Sequence, residues 1–280
     1  MKDISSTATL NSDFHLEKWY LDIVTENGNG MIFYAAKLKW KKLEVPYTSW
    51  LSYSTEDGIT CKSRFRKVEL PNEKNDIILW NDDKFNISGT WKALSSPIKA
   101  QLFQSNEGEL IWNCFQPRAK VSVKINGKEI NGFGYTEQLS LNLFPWKLPM
   151  KELRWGRYIS KGNYIVWIEL IKGTEKQQWL WLNGVKYENA TINNNLIYIP
   201  KEDLSLILDK NVILVEEKKI LKIVKTLLSY LPSFNNPISN NFLNAVESKW
   251  LSHATLLKNG NFVEHGWTIH EFVNFNQKKK

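Results

Sequence analysis

Three charged side chains, Glu137, Arg157 and Glu271, fall where their surroundings in the sequence are apolar. A strand sends alternate residues to opposite faces, so the run 133–143 sorts by parity. Phe133, Tyr135, Glu137, Leu139, Leu141 and Leu143 share one face; Gly134, Thr136, Gln138, Ser140 and Asn142 share the other. The same sorting groups Arg157 with Leu153, Trp155 and Ile159, and Glu271 with Trp267, Ile269, Val273 and Phe275. An unpaired charge in such a row costs several kcal/mol, so each group must find an opposite charge, meet polar ligand atoms, or change protonation.

Two readings follow. In the first, Glu137 and Arg157, or Arg157 and Glu271, form an internal bridge that orders the core. In the second, desolvation lifts the pKa of Glu137 until the carboxyl holds a proton near neutral pH and can donate it. Parity alone serves both. Other site chemistries lack their signatures. The four histidines, His15, His253, His265 and His270, include no HExxH pattern, and His265 and His270 would face opposite sides of one strand. GxSxG, P-loop and GxGxxG patterns are missing as well, which argues against serine-hydrolase and nucleotide-dependent chemistry. The expected metal and cofactor set is therefore none.

The elements that must position these residues are strands. Short aromatic and β-branched runs are punctuated by Glu26-Asn27-Gly28-Asn29-Gly30, Glu56-Asp57-Gly58, Asn126-Gly127, Lys161-Gly162-Asn163, Asn183-Gly184 and Asn259-Gly260. Asn-Gly between apolar runs predicts two-residue hairpins, because both positions tolerate positive φ. One helix is expected, over 216–230, where Ile220, Ile223, Val224, Leu227 and Leu228 follow a helical period ahead of Pro232; Val212-Ile213-Leu214-Val215 before it reads as a strand.

The chain also restarts near its middle. Lys18-Trp19-Tyr20-Leu21-Asp22, a Gly-rich turn and Met31-Ile32-Phe33-Tyr34-Ala35 resemble Arg154-Trp155-Gly156-Arg157-Tyr158, a second Gly turn and Tyr164-Ile165-Val166-Trp167-Ile168. Pro145-Trp146-Lys147-Leu148-Pro149 precedes the second copy, and prolines there interrupt a sheet. The expected fold is mainly β, with two consecutive lipocalin-like antiparallel barrels at 1–150 and 151–280.

Gly132-Phe133-Gly134-Tyr135-Thr136-Glu137, Pro145-Trp146-Lys147-Leu148-Pro149 leading into Leu153-Arg154-Trp155-Gly156-Arg157, and Gly266-Trp267-Thr268-Ile269-His270-Glu271 resemble the AttH-like and carotenoid hydratase (hydroxyneurosporene synthase) group. The resemblance implies two lipocalin-like β domains and, by analogy with characterised members, hydration, cyclisation or isomerisation of carotenoid, terpenoid or polyketide-like molecules. The chain is more similar to the group's uncharacterised bacterial members than to the true hydratases, whose full acidic set it does not match. Resemblance and parity together single out Glu137 as the proton donor with Tyr135 beside it. Arg157 would hold an anionic substrate group or pair with Glu137 or Glu271. Trp146, Trp155, Arg154, Trp267 and Glu271 are the candidate substrate-binding residues, the tryptophans because aromatic faces stabilise a cation developing on a protonated substrate.

The formal charge of +8 arises from scattered lysines, with Lys278-Lys279-Lys280 the one dense run, and predicts a solvated surface and not a nucleic-acid partner. No stretch approaches the roughly 18 apolar residues of a membrane span, and the start Met1-Lys2-Asp3-Ile4 carries no secretion signal. A cytoplasmic location is expected, with Cys61 and Cys114 as reduced structural thiols. The functional expectation is a cofactor-independent cyclase, isomerase or hydratase acting on a lipophilic small molecule. A non-catalytic carrier of such a molecule comes second, and a carbohydrate-binding module with exposed tryptophans third.

Overall fold

A computed structural model describes residues 13–219 and 245–275. The first ten strands are β1 (Phe14–Val24), β2 (Gly30–Trp40), β3 (Leu43–Ser54), β4 (Gly58–Arg64), β5 (Asn72–Lys74), β6 (Ile77–Asp82), β7 (Ile87–Ala93), β8 (Ile98–Ser105), β9 (Gly108–Ile125) and β10 (Lys128–Leu141). They form one antiparallel sheet in the order β4-β3-β2-β1-β10-β9-β7-β6-β5, with β8 also paired to β9. The next ten are β11 (Glu152–Ile159), β12 (Tyr164–Lys172), β13 (Glu175–Leu182), β14 (Val185–Tyr187), β15 (Thr191–Ile192), β16 (Leu196–Ile199), β17 (Leu204–Leu208), β18 (Val212–Lys219), β19 (Val246–Lys258) and β20 (Asn261–Asn274). Their sheet runs β14-β13-β12-β11-β20-β19-β17-β16-β15, with β18 on β19. Adding ten to each strand number of the first order gives the second. Two curled antiparallel sheets of lipocalin type thus repeat one topology.

The three Asn-Gly pairs take positive φ at both residues, at Asn126-Gly127, Asn183-Gly184 and Asn259-Gly260, and join β9 to β10, β13 to β14 and β19 to β20. The expected helix differs from what is found. Val212–Lys219 is a strand, so residues 216–219 continue the extended run, and 220–230 lie outside the described residues. Pairing of β18 with β19 supplies ladder hydrogen bonds that a helix start at Glu216 would forgo.

Alternation along β1 feeds two cores. Trp19, Leu21 and Ile23 enter a cluster confined to the first sheet with Phe33, Trp80 and Trp91, whereas Tyr20 and Val24 enter a cluster shared by both sheets. The second sheet has its own cluster around Tyr158, Ile165, Trp167 and Leu180, and sends Trp155, Ile159, Val166, Trp181 and Ile269 into the shared one. Because both faces are covered, Trp19–Val24 and Tyr164–Leu170 are buried at every position.

The strand register corrects the sequence repeat by one residue. Val24 pairs with Gly30 and Phe133, as Ile159 pairs with Tyr164 and Trp267, and both face the shared core. Matching those hairpin ends sets Tyr20 on Trp155, Asp22 on Arg157 and Glu137 on Glu271; the similar-looking Trp19 belongs to the other face. Two of these equivalent pairs touch each other. The Tyr20 and Trp155 rings lie 4.9 Å apart, and Asp22 is hydrogen-bonded to Arg157, so equivalent positions of the two halves meet between β1 and β11.

Candidate active site

Glu137 sits in β10 beside an irregularity in β9. The register slips between Gly134/Thr136 and Thr136/Glu137, opposite Gln116-Pro117-Arg118, where β9 changes its other neighbour from β8 to β7. A bulge accommodates Pro117, which has no amide to donate, and bends the strand at the site. Gly134 serves the same close approach: a Cβ there would stand 2.0 Å from the Asp22 carbonyl oxygen. The bulged residues are on β9, so side-chain alternation along β10 is kept. Tyr135, Leu141 and Leu143 are buried in the shared core with Phe133 and Leu139 packed against it, and half-buried Glu137 lies among them.

One oxygen of Glu137 gathers every donor. The Tyr135 hydroxyl reaches Oε2 at 2.5 Å, Trp155 Nε1 at 3.1 Å, and Trp112 Nε1 also donates to it. Trp112 is fixed in turn by stacking on Trp181 of the other sheet, with centroids 5.3 Å apart. Burial pushes the Glu137 carboxyl above its ordinary range. Hydrogen bonds from Tyr135 and Trp112 and the charge of Lys18 pull it back in part, and Glu271 adds to the rise. Among the described residues no cation comes within ion-pair distance of it and no donor reaches Oε1. Three donors occupy Oε2 as an acceptor, so in the neutral acid the proton would belong on Oε1. Burial also lifts the pKa of Tyr135 and of Cys114, which faces Glu137 in the register, so both stay protonated.

Arg157 meets neither Glu137 nor Glu271. It grips Asp22 through two bonds, Nε to Oδ2 at 2.9 Å and Nη2 to Oδ1 at 2.8 Å, and its Nη1 donates to the Trp267 carbonyl at 2.9 Å. Tyr20 adds a hydroxyl to Asp22 Oδ2 at 3.0 Å. Both charged side chains are fully buried, and burial raises the Asp22 carboxyl against the opposing pull of the guanidinium. With its donors spent in this way, Arg157 joins the halves and leaves no fork for a substrate anion.

Glu271 has the cation that Glu137 lacks. Lys249 Nζ lies 2.8 Å from Glu271, 2.9 Å from Glu247 and 2.6 Å from the Tyr34 hydroxyl. Burial disfavours the Lys249 charge, but the two carboxylates and Tyr34 outweigh it and hold its pKa well above the ordinary value. For Glu247, burial raises the pKa and Lys249 more than reverses this, leaving it low.

The other expected residues separate. Trp155 is at Glu137, and Trp146 is buried in the shared core, stacked on Phe144 at 4.8 Å within the 3-10 turn Pro145–Lys147. Trp267 packs against the same core, closes over Gly28 and bonds the Glu26 carbonyl at 3.4 Å. Arg154 is turned away, on the opposite face of β11 from Trp155, bound to Glu152 at 3.1 Å and Glu169 at 3.2 Å with Phe272 beneath it. Its place next to Trp155 in sequence is what puts it on the other side. Asp22 and Lys249 went unrecognised although the parity that exposed Arg157 applies to both: Asp22 follows Tyr20 on the face that Val24 continues, and Lys249 precedes Leu251. Trp112 gives no such signal, since only the pairing of Cys114 with Glu137 brings its strand alongside.

No family model and no curated protein matches the sequence. Solved structures do match. CghA is 13% identical with a TM-score of 0.59, over 94% of this chain and 88% of its own. Kievitone hydratase from Nectria haematococca is 12% identical with a TM-score of 0.53, over 94% and 90%. An AttH candidate from Nitrosomonas europaea is 9% identical with a TM-score of 0.54, over 92% of each chain. The chain has the fold of the AttH-like group. At these identities the likeness is one of architecture, and within that AttH-like architecture Glu137 occupies the core between the two sheets. Among the described residues no helix is long and apolar enough to cross a membrane.

Proposed function

We propose that the chain is a cofactor-independent cyclase, isomerase or hydratase that protonates a lipophilic metabolite from Glu137. The observation that carries this reading is the one-sided hydrogen bonding of Glu137: three neutral donors on Oε2, none on Oε1, and burial that favours the protonated form. Proton transfer from Oε1 to an alkene or carbonyl leaves a carboxylate whose charge the Tyr135, Trp112 and Trp155 donors already meet, which lowers the cost of the transfer without reorganisation. Cationic character on the substrate then faces the ring of Trp155. Addition of water completes a hydration, capture by a second double bond a cyclisation, and loss of a neighbouring proton an isomerisation. In each case a proton returns to Glu137. Support by analogy comes from neighbours of the same fold, a kievitone hydratase among them and CghA, which has been solved with Sch210972. The division into units 1–150 and 151–280 belongs to the same reading, with the site built where the two meet.

A carrier without chemistry is the second reading, favoured by the same three hydrogen bonds, since a purely structural carboxyl would also need them. Incubation in D2O with an organic extract of the producing cells separates the two. The native protein should yield products bearing one solvent-derived deuterium, seen by mass spectrometry, and Glu137→Gln should not, while melting within about 2 °C of the native chain. Ligand recovered unlabelled from the native protein would establish the carrier instead.

A further inference from the structure

The two buried cations among the described residues have no donor to spare for a ligand. Lys249 spends its three on Glu247, Glu271 and Tyr34, and Arg157 is committed to Asp22 and the Trp267 carbonyl. Lys18 differs. It lies on β1 between Leu16 and Tyr20 on the face that builds the shared core, paired with Leu139, one step along from the Tyr20–Glu137 pair. Such diagonal neighbours on adjacent strands stand about 7–8 Å apart, within reach of a long side chain. Yet Lys18 makes no ion pair with Glu137. Its Nζ rests 4.8 Å above the Tyr34 ring, near enough for its charge to act on both Glu137 and Glu247, and among the described residues no acceptor takes a hydrogen bond from it. The Lys18 side chain is exposed. A lysine of the outer surface would be solvated and of no consequence; this one is aimed along the face that carries the proton donor.

We propose that Lys18 is the recognition residue for an acidic oxygen of the ligand, so that the ligand class is an apolar molecule ending in a carboxylate or a comparably acidic enol. The inference rests on the reading of Glu137 as the acid of a lipophilic site. Arg157 is committed to Asp22 and Lys249 to Glu247 and Glu271, whereas Lys18 makes no ion pair or hydrogen bond among the described residues and its charge reaches Glu247 only at a distance. An acidic oxygen on Nζ would fix one end of the ligand on the strand next to Glu137 and bring carbons a few bonds away to Oε1. The contact is charge-assisted, and so depends on the ligand's ionisation.

All-trans-retinoic acid and all-trans-retinol carry one polyene with different ends and serve as probes, with quenching of tryptophan fluorescence as the readout. The native chain should bind the acid about tenfold more tightly than the alcohol, a factor within reach of one charge-assisted contact. Lys18→Met should remove that preference and leave retinol affinity within about twofold, and Lys18→Arg should keep it. Equal affinities in the native chain, or a preference that survives in Lys18→Met, would overturn the assignment. Failure of both probes to bind would overturn it together with the lipophilic site. A preference that depends on Lys18 in a protein whose Glu137→Gln variant turns over normally would uphold Lys18 and remove the acid catalysis alone.

Discussion

Glu137 and Glu271 occupy matching positions in the two halves, each on the last strand in chain order of its sheet and each opposite a member of one equivalent pair, Tyr20 for Glu137 and Trp155 for Glu271. Their surroundings diverge on the next strand. β9 gives Glu137 the indole of Trp112, and β19 gives Glu271 the ammonium of Lys249. A neutral donor stabilises a carboxylate without cancelling its desolvation, so the Glu137 carboxyl stays above its ordinary range. A buried cation 2.8 Å from Glu271 makes an ion-paired joint of it. One backbone position thus carries a carboxyl met by neutral donors in one half and a member of an ion cluster in the other.

The largest expected effect breaks that contrast directly. Glu137→Gln should cost about 10²–10⁴-fold in turnover, the usual contribution of a positioned acid, with melting little changed; Glu271→Gln, scored in the same deuterium-incorporation assay, should retain most of its turnover. Equal losses in the two variants would show that the halves share the chemistry.

Next in size is Lys249→Met, which leaves Glu247 and Glu271 facing each other without their cation. Removing one partner from such a buried pair costs about 3–5 kcal/mol, readable in urea unfolding at neutral pH. The loss should shrink in acid. Glu247 is held low by Lys249 in the native chain, so its share of the stability is complete above the unfolded carboxyl pKa and disappears as pH falls through the native one. A Lys249→Met deficit that stays constant down to acid pH would contradict the cluster.

A smaller change should sharpen the comparison. Trp112→Phe removes one donor from Oε2, about 1 kcal/mol of carboxylate stabilisation, and lifts the Glu137 pKa further. The acid acts only while protonated, so turnover falls as pH rises through that pKa, and the alkaline limb of the rate profile should move to higher pH in Trp112→Phe. In stability the sign runs the same way: a glutamate whose folded pKa is raised loses stability as pH climbs from the ordinary carboxyl range through the raised value, and Glu137→Gln should abolish that decline. A limb that moves down in Trp112→Phe would mean that Trp112 favours the protonated form. Smallest of all, Arg154→Met should leave retinoid binding and turnover within about twofold, because its salt bridges lie on the far face of β11 and Glu169 keeps Lys176 and Gln178 as partners.

The parts of the structure legible in sequence are those fixed within one strand or one turn. Asn-Gly pairs announced three hairpins, and alternation identified the inward face of Glu137, Arg157 and Glu271. What alternation leaves out is the partner, since that depends on which strand of the other sheet lies opposite and at what register. Arg157 was therefore legible as a buried charge and Asp22 as its counterpart was not. Trp112 required the β9–β10 pairing, whose slip at Pro117 no count along one strand reveals. The one-residue error in the internal repeat has the same origin: Trp19 and Trp155 look alike in sequence, and the faces they occupy are opposite.

The Asp22–Arg157 bond couples two equivalent positions of a duplicated half. Equivalent positions meet at this contact, so a pairing of two first halves that reproduced it would set Asp22 against a second Asp22, and a pairing of two second halves would oppose two guanidiniums. Opposite charges at such a position are possible only between halves that have ceased to be identical. Charge complementarity at this buried contact therefore disfavours each half as a partner for its own kind and favours the other half.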